Sequence, residues 1–325
     1  MPASYVHQSV ARRALASFGF EEDDALRAAM LAGAEGPDPL FFSLSPNPGG
    51  PYPPRVGSLM HTRQTDDFLA ALSEACRGSA LLRAYCLGFF THYATDTTFH
   101  PFVYAHSLTA QGAYSSTEHC LLEHNLETLY YRRSGHAEGL PVQMAGCAAL
   151  THAQKDEIAR ALAPTIAQVY LGNALSVARV RRSFDDAASV CRMLRSESGR
   201  KYRGLGAMLA PLRLDRALHA HMMPAEPPEE DIANDAHAPW ASPWAPDEAR
   251  TEGFDELFAA AVARAGELAA CADGAMRGRV SLASLRSLTG GLSYDSGLPW
   301  RETCPPDQAP GVLRARARQS ALRTK

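Results

Sequence analysis

Five side chains between residues 92 and 123 have the types and the spacing to hold a divalent cation: His92, Asp96 and His100, then His119 and Glu123. Each step within a group is four residues. An α-helix turns about 100° per residue, so positions four apart lie about 40° apart on one face. His92, Asp96 and His100 therefore line one stripe of a helix, and His119 and Glu123 a stripe of the next. Imidazole nitrogen and carboxylate oxygen without thiolate form the donor set of zinc held for hydrolysis. Any one of these histidines taken alone reads as a hydrogen-bonded core or surface residue; the reading rests on the set.

The surroundings sharpen it. Leu81, Leu82, Tyr85, Leu87, Phe89 and Phe90 share the helix with His92 and Asp96 and require burial. An Asp buried in such company is costly without a partner charge. Yet the 48 residues between Arg83 and Arg132 contain five histidines and no Lys or Arg. A divalent cation supplies the missing charge. Three upstream residues extend the list: His7 on the first helix, Asp38 in a Pro-rich loop whose backbone is expected to be non-helical, and His61 at the start of the following helix. The candidate ligands in chain order are His7, Asp38, His61, His92, Asp96, His100, His119 and Glu123.

The elements that must position them read as helices nearly throughout, since strand-like alternation is scarce. Helices are expected over Tyr5–Phe18, with Ser4 as N-cap, and over Glu21–Ala34, ended by Gly36 and Pro37. Residues 35–57 read as a long loop with seven prolines, of the kind that is usually functional. Further helices are expected near 59–76, 79–98, 115–134, 153–180, 184–198 and 201–221. The stretch Glu226–Glu248 carries seven acidic residues and five prolines around Trp240 and Trp244. It reads as a surface loop pinned by those two rings. An amphipathic helix over Glu252–Ala272 docks back on the bundle. The expected organisation is one helical domain over 1–300 followed by a basic, flexible tail over 301–325, whose last part is free of acids and offers a weak lipid or nucleic-acid contact.

At 325 residues and a net charge of −3, the chain can bury a large core and gives no global reason to bind nucleic acid. The start MPASYVHQSV has neither a basic n-region nor an apolar h-region, and no run of about 18 apolar residues occurs. The seven cysteines are scattered and never form CxxC, which reads as free thiols in a reducing compartment. A cytoplasmic protein is the expectation.

The ordered list resembles the zinc-dependent phospholipase C family, which includes bacterial phosphatidylcholine-cleaving enzymes and clostridial alpha-toxin. HYATDTTFHP followed by EHCLLE is the specific part, and PD in GAEGPDPLFF and the histidine of GSLMH add to it. The resemblance implies an all-α fold, a single large helical bundle of the type shared with single-strand nucleases, with up to three zinc ions in a cleft. It implies one zinc on Asp38, His61, His92 and Asp96, and a second on His100, His119 and Glu123. A third would take His7, a bridging Asp96 and the N-terminus of the chain. It also implies Asp38 as general base.

Secreted members begin with a Trp that completes the third site. This chain begins Met1-Pro2, so two ions are expected. The spacing from Asp96 to His100 is two residues shorter than in the secreted enzymes. That brings His106 in as an alternative ligand, but the i+4 spacing favours His100. His106, Glu118, His124 and Glu127 are candidates to orient the ligands, with Glu118 and Glu127 able to accept the second N–H of a ligating imidazole. Phe41, Phe42 and Tyr52, in a loop longer than the family's, are candidates for the cleft mouth.

The implied function is zinc-dependent hydrolysis of a phospholipid or related phosphodiester by activated water, with peripheral membrane contact. The alternatives are a metal-stabilised helical module that binds without turnover, and a nuclease-like phosphodiesterase. The central region lacks the basic groove that a nuclease needs.

Overall fold

The computed structural model describes residues 4–43 and 50–323, and within them there are fourteen α-helices and no strand. Met1 and Pro2, on which the N-terminal expectation rests, and Pro46 and Pro48 of the Pro-rich loop lie outside the described residues. The chain is all-α, as its periodicity predicts.

Helix α5 (Ala80–Ala105) is the axis of the bundle. Twenty of its 26 residues are buried, so it has neighbours all round. Helix α2 (Asp24–Ala34) and helix α12 (Phe254–Met276) supply most of that cover. The α2–α5 crossing is close because both helices present glycine. A Cβ on Gly33 would stand 2.0 Å from the Tyr85 carbonyl oxygen, and one on Gly88 would stand 2.1 Å from that of Met30. Substitution at either position would force the two backbones apart. Helix α1 (Ser4–Ala14) packs on both α2 and α12, and helix α6 (Ser116–Arg133) lies against α5 and α1.

Several expected boundaries move. Ser4 is inside α1 and does not cap it; its hydroxyl donates to Glu35 Oε1 at 2.6 Å. Helix α1 stops at Ala14, and Asp23 caps α2 through the Ala25 and Leu26 amides. The expected helix 59–76 is two, α3 (Pro53–Thr62) and α4 (Thr65–Ala75), broken where Gln64 takes φ 49°. After the short α7 (Ala145–Ala149), helix α8 (His152–Val169) ends eleven residues earlier than expected and α9 (Val177–Leu194) starts earlier. The segment 201–221 is three short pieces: α10 (Arg200–Leu209), a 3-10 turn (Ala210–Leu212) and α11 (Asp215–His219). Pro211, and Arg213 at φ 56°, interrupt the helix there.

The Glu226–Glu248 stretch is pinned as expected. The Trp240 indole donates to the Glu252 carbonyl at 3.0 Å and that of Trp244 to the Cys304 carbonyl at 2.8 Å. After α13 (Leu282–Thr289), the basic end of the chain departs from expectation. Residues Pro310–Arg323 form α14, seated by a fully buried Val312, and Arg314 pairs with Asp247 at 2.7 Å. Val312 joins Tyr104, Trp244 and Ala309 in a small second core, an apolar contact that a count of arginines does not reveal. All seven cysteines are free.

Candidate metal centre

Helix α5 presents His92, Asp96 and His100 on one face, as their spacing requires. Around that face the fold gathers His7 from α1, Asp38 from beyond α2, His61 from the last turn of α3, and His119 and Glu123 from α6. None of the eight is more than 6% exposed. Two local expectations change. Asp38 opens a 3-10 turn, Asp38–Phe42, and is not in irregular loop. His61 ends its helix and does not begin one. Gly36 makes the approach of Asp38 possible. It has φ +54°, and a Cβ there would stand 2.2 Å from His92 Cδ2, so only glycine lets the chain turn under that ring.

Asp96 is the hub. Its Oδ1 lies 3.2 Å from His7 Nε2 and 3.6 Å from His100 Nε2. Its Oδ2 lies 3.0 Å from His92 Nε2 and 3.6 Å from His61 Nε2. Asp38 Oδ1 lies 3.2 Å from His61 Nε2, while Glu123 Oε1 lies 3.2 Å from His100 Nε2 and 3.3 Å from His119 Nε2. Three sets of donor atoms fall within 4.8 Å of one another: His7, His92 and Asp96; Asp38, His61 and His92; and His100, His119 and Glu123.

The hydrogen bonds behind the rings decide which nitrogens face the centre. His92 Nδ1 donates to the Ala34 carbonyl at 3.0 Å, His61 Nδ1 to that of Gly57 at 2.8 Å, and His100 Nδ1 to that of Tyr294 at 3.0 Å. A carbonyl only accepts, so each ring commits its Nδ1–H outward and turns Nε2 inward. Burial holds the His92 imidazole below its usual pKa despite the nearby Asp96. Neutral His92 therefore points an Nε2 lone pair at a carboxylate oxygen 3.0 Å away, and that nitrogen has no hydrogen bond. Two acceptors facing each other in a dry interior are repulsive unless a cation stands between them. Asp38 Oδ1 likewise has no hydrogen-bond partner. Nitrogen and carboxylate oxygen with outward-tied rings fit zinc, and orphaned acceptors of this kind are what a metal would satisfy.

The electrostatics agree. Burial raises the carboxyl of Asp96, but His100, His92 and His7 outweigh it and hold Asp96 well below the usual range. Asp38 is lowered too, burial being outweighed by His92 and His61. Burial opposes charge on His100, yet Asp96 and Glu123 lift it to about 9. His61 and His7 are raised against the same burial by Asp38 and Asp96 respectively. Burial lowers His119. Without metal, imidazolium rings thus offset part of the carboxylate charge. Among the described residues, the nitrogens within 4 Å of the Asp38 and Asp96 carboxylates as potential ion-pair partners are all histidine nitrogens.

The orienting groups differ from those expected. The three fixed imidazoles use backbone carbonyls, not Glu118 or Glu127. Glu118 pairs with Arg216 at 2.8 Å. Glu127 is fully buried, accepts the Tyr5 amide at 2.5 Å, and is pushed up to about 8 by burial. His106 bonds the Phe102 carbonyl at 2.9 Å and His124 that of Cys120 at 2.8 Å. Neither belongs to a ligand set, and His100, not His106, meets Glu123.

The centre opens on a cleft of about 260 Å³ that reaches His61, His100 and His119, with Phe41, Tyr104 and Tyr114 as apolar wall. Of the expected mouth residues Phe41 is there, Phe42 is in the core, and Tyr52 is exposed at 58%. One strap had no sequence signal. Residues 290–300 cross from the far end of the chain to grip two ligand-bearing helices. The Tyr294 amide donates to the His61 carbonyl at 2.8 Å, its carbonyl receives His100 Nδ1, and its ring packs 5.0 Å from the His61 ring. Asp295 lines the cleft beside it.

Residues 6–169 match the sequence model of a family described as zinc dependent phospholipase C, just over half of the 325 residues. All eight candidate ligands fall inside the match, and Tyr294 and Asp295 fall outside it. No curated protein and no solved structure matches the chain.

Proposed function

The chain belongs to the zinc-dependent phospholipase C family, and from that membership we propose that it hydrolyses the phosphodiester bond of a phospholipid on the glycerol side of phosphorus. The observation that carries the proposal is the His92–Asp96 pair: a neutral imidazole lone pair aimed at a buried carboxylate oxygen 3.0 Å away, with six more donors closing around it. Two zinc ions are the proposed complement. One would be held by Asp38, His61, His92 and Asp96, and one by His100, His119 and Glu123. His7 adds a donor beside His92, its Nε2 3.2 Å from Asp96 Oδ1.

Zinc, when bound, supplies positive charge against the phosphoryl oxygens and makes water acidic enough to attack near neutral pH. The chain does the rest. The three imidazoles tied to backbone carbonyls fix the donor geometry before substrate arrives. Asp38 stays ionised at neutral pH, so its carboxylate is the proposed acceptor for the proton of the attacking water. The apolar wall of Phe41, Tyr104 and Tyr114 meets the carbon portions of the substrate and limits the entry of bulk water. The opening at His61, His100 and His119 favours turnover over a closed structural site, because a catalytic centre keeps an exposed position for substrate.

The test is elemental analysis of the purified protein beside His92→Ala/Asp96→Ala, followed by assay of phosphatidylcholine cleavage. Zinc near two per chain that falls in the variant, with phosphocholine released by wild type alone, is the expected result. A folded protein that carries no zinc and takes up none on dialysis would leave a helical binding module in place of an enzyme.

A further inference from the structure

Away from the centre, one segment breaks the usual distribution of apolar residues. Among the described residues eight large apolar side chains are exposed, and four of them fall between residues 193 and 214: Met193 at 59%, Met208 at 63%, Leu212 at 66% and Leu214 at 50%. Helix α10 buries only Gly206, and neither the Ala210–Leu212 turn nor α11 buries anything. These elements add nothing to the core they sit beside. Scattered exposed leucines are ordinary, but Met208, Leu212 and Leu214 fall within seven residues, on or beside elements that bury almost nothing, and so mark a surface with an outside partner.

The charge on the segment says which partner. Residues 193–214 hold five Lys or Arg and one acidic residue, in a chain whose net charge is −3. Arg200, Lys201, Arg203 and Arg213 are exposed among the apolar side chains, and the Lys201 ammonium also bonds the Met193 carbonyl, tying α10 to the end of α9. Short helical elements mixing exposed Leu and Met with Lys and Arg have the composition of segments that lie in a membrane interface. There the cations meet anionic headgroups and the apolar side chains enter the acyl boundary.

The position relative to the cleft is the second observation. Arg216 of α11 grips the Glu118 carboxylate with two nitrogens, Nε at 2.8 Å. Glu118 is next to His119, a candidate ligand, and Ser116, His119 and Cys120 of the same helix line the cleft. The exposed segment is therefore anchored to the helix that forms one wall of the entrance.

We propose that residues 193–214 are the face by which the protein docks on an anionic phospholipid surface, bringing the cleft to the membrane. The choice of occupant rests on the phospholipid reading, and the face itself on exposure and charge. The test is sedimentation of zinc-loaded full-length protein with phosphatidylcholine vesicles, with and without phosphatidylserine, beside Met208→Ser/Leu212→Ser/Leu214→Ser. Each protein is also assayed on p-nitrophenylphosphorylcholine, a water-soluble phosphodiester.

Wild type should pellet with the anionic vesicles, less so as salt rises, and the variant should lose about tenfold or more of that binding. All three substitutions are at exposed positions, so the variant should keep its zinc, its circular dichroism and its rate on the soluble substrate. Binding that is absent in wild type or unchanged in the variant would overturn the docking face, whatever the soluble rate. A wild-type dimer that the variant dissociates, without vesicle binding, would make a second copy the occupant and also overturn it. Intact vesicle binding with no cleavage of either substrate would leave the face standing and sink the phospholipase reading instead.

Discussion

The candidate metal centre and the 193–214 segment invert the usual rule in opposite directions. The first buries eight titratable side chains, none more than 6% exposed. The second holds Met208, Leu212 and Leu214 in water at 50% or more. Each arrangement is one that something outside the chain would satisfy: a cation for converging lone pairs, an apolar interface for unpacked methylenes. The difference lies in what each arrangement costs the isolated protein. Unmet acceptors in a low-dielectric interior act on stability directly, whereas exposed apolar side chains cost little and affect association. Substitutions in the two regions should therefore differ in kind.

The largest expected effect is at the hub. Asp96→Asn removes a carboxylate that faces four imidazoles, and zinc content should fall to background with a loss of about a thousandfold in hydrolysis. Retained zinc and activity in that variant would break the inward half of the comparison. Next comes withdrawal of metal. Zinc at a thousand times its dissociation constant adds about 4 kcal/mol, which for a chain this long is a rise of about 6 °C in melting temperature over chelated protein. A melting curve indifferent to chelator would show that the imidazolium–carboxylate pairs suffice alone.

The third effect is carried by Glu127, whose carboxyl is pushed up to about 8 by burial against an ordinary 4.5. Between those values the native state keeps a proton that the unfolded chain has lost, so stability is highest below the lower value and declines as pH rises through the upper one. For zinc-free protein the decline is at most roughly 5 kcal/mol. Glu127→Gln, which keeps an acceptor for the Tyr5 amide, should remove that share of it in denaturant titrations at pH 5 and pH 8. Glu35, lifted to about 7 by burial against its bonds from Ser4 and Gln8, leaves a residual slope. An unchanged slope in Glu127→Gln would show that the carboxyl is ionised in the fold. The smallest effect belongs to the exposed face: Leu212→Ser should shift unfolding by no more than about 0.5 kcal/mol. A larger loss would mean that the side chain packs in solution and that the outward half of the comparison is wrong.

What could be read before folding was what lies within one helix. His92, Asp96 and His100 share a stripe, as do His119 and Glu123, because 3.6-residue periodicity is a local property. The all-α class follows from the same periodicity, and the two tryptophans marked their loop as pinned because such rings rarely stay in water. Helix ends were less legible. Gln64 and Arg213 break helices through left-handed backbone at residues whose type gives no warning, and Val312 seats the basic tail by a contact with residues some seventy positions earlier.

Sequence alone therefore determined the class of fold, the donor chemistry and the order of the eight candidate ligands. Tertiary structure decided which donors meet. It set Asp38 beneath His92 through Gly36, turned three imidazoles inward by tying them to the carbonyls of Ala34, Gly57 and Tyr294, and braced the site with a strap almost two hundred residues from His100. It also decided that Met208, Leu212 and Leu214 face water, where the periodicity over 201–221 predicts only a helix. The physical reason is common to both: periodicity fixes the faces of a helix, while the partner of each face depends on packing between segments distant in the chain.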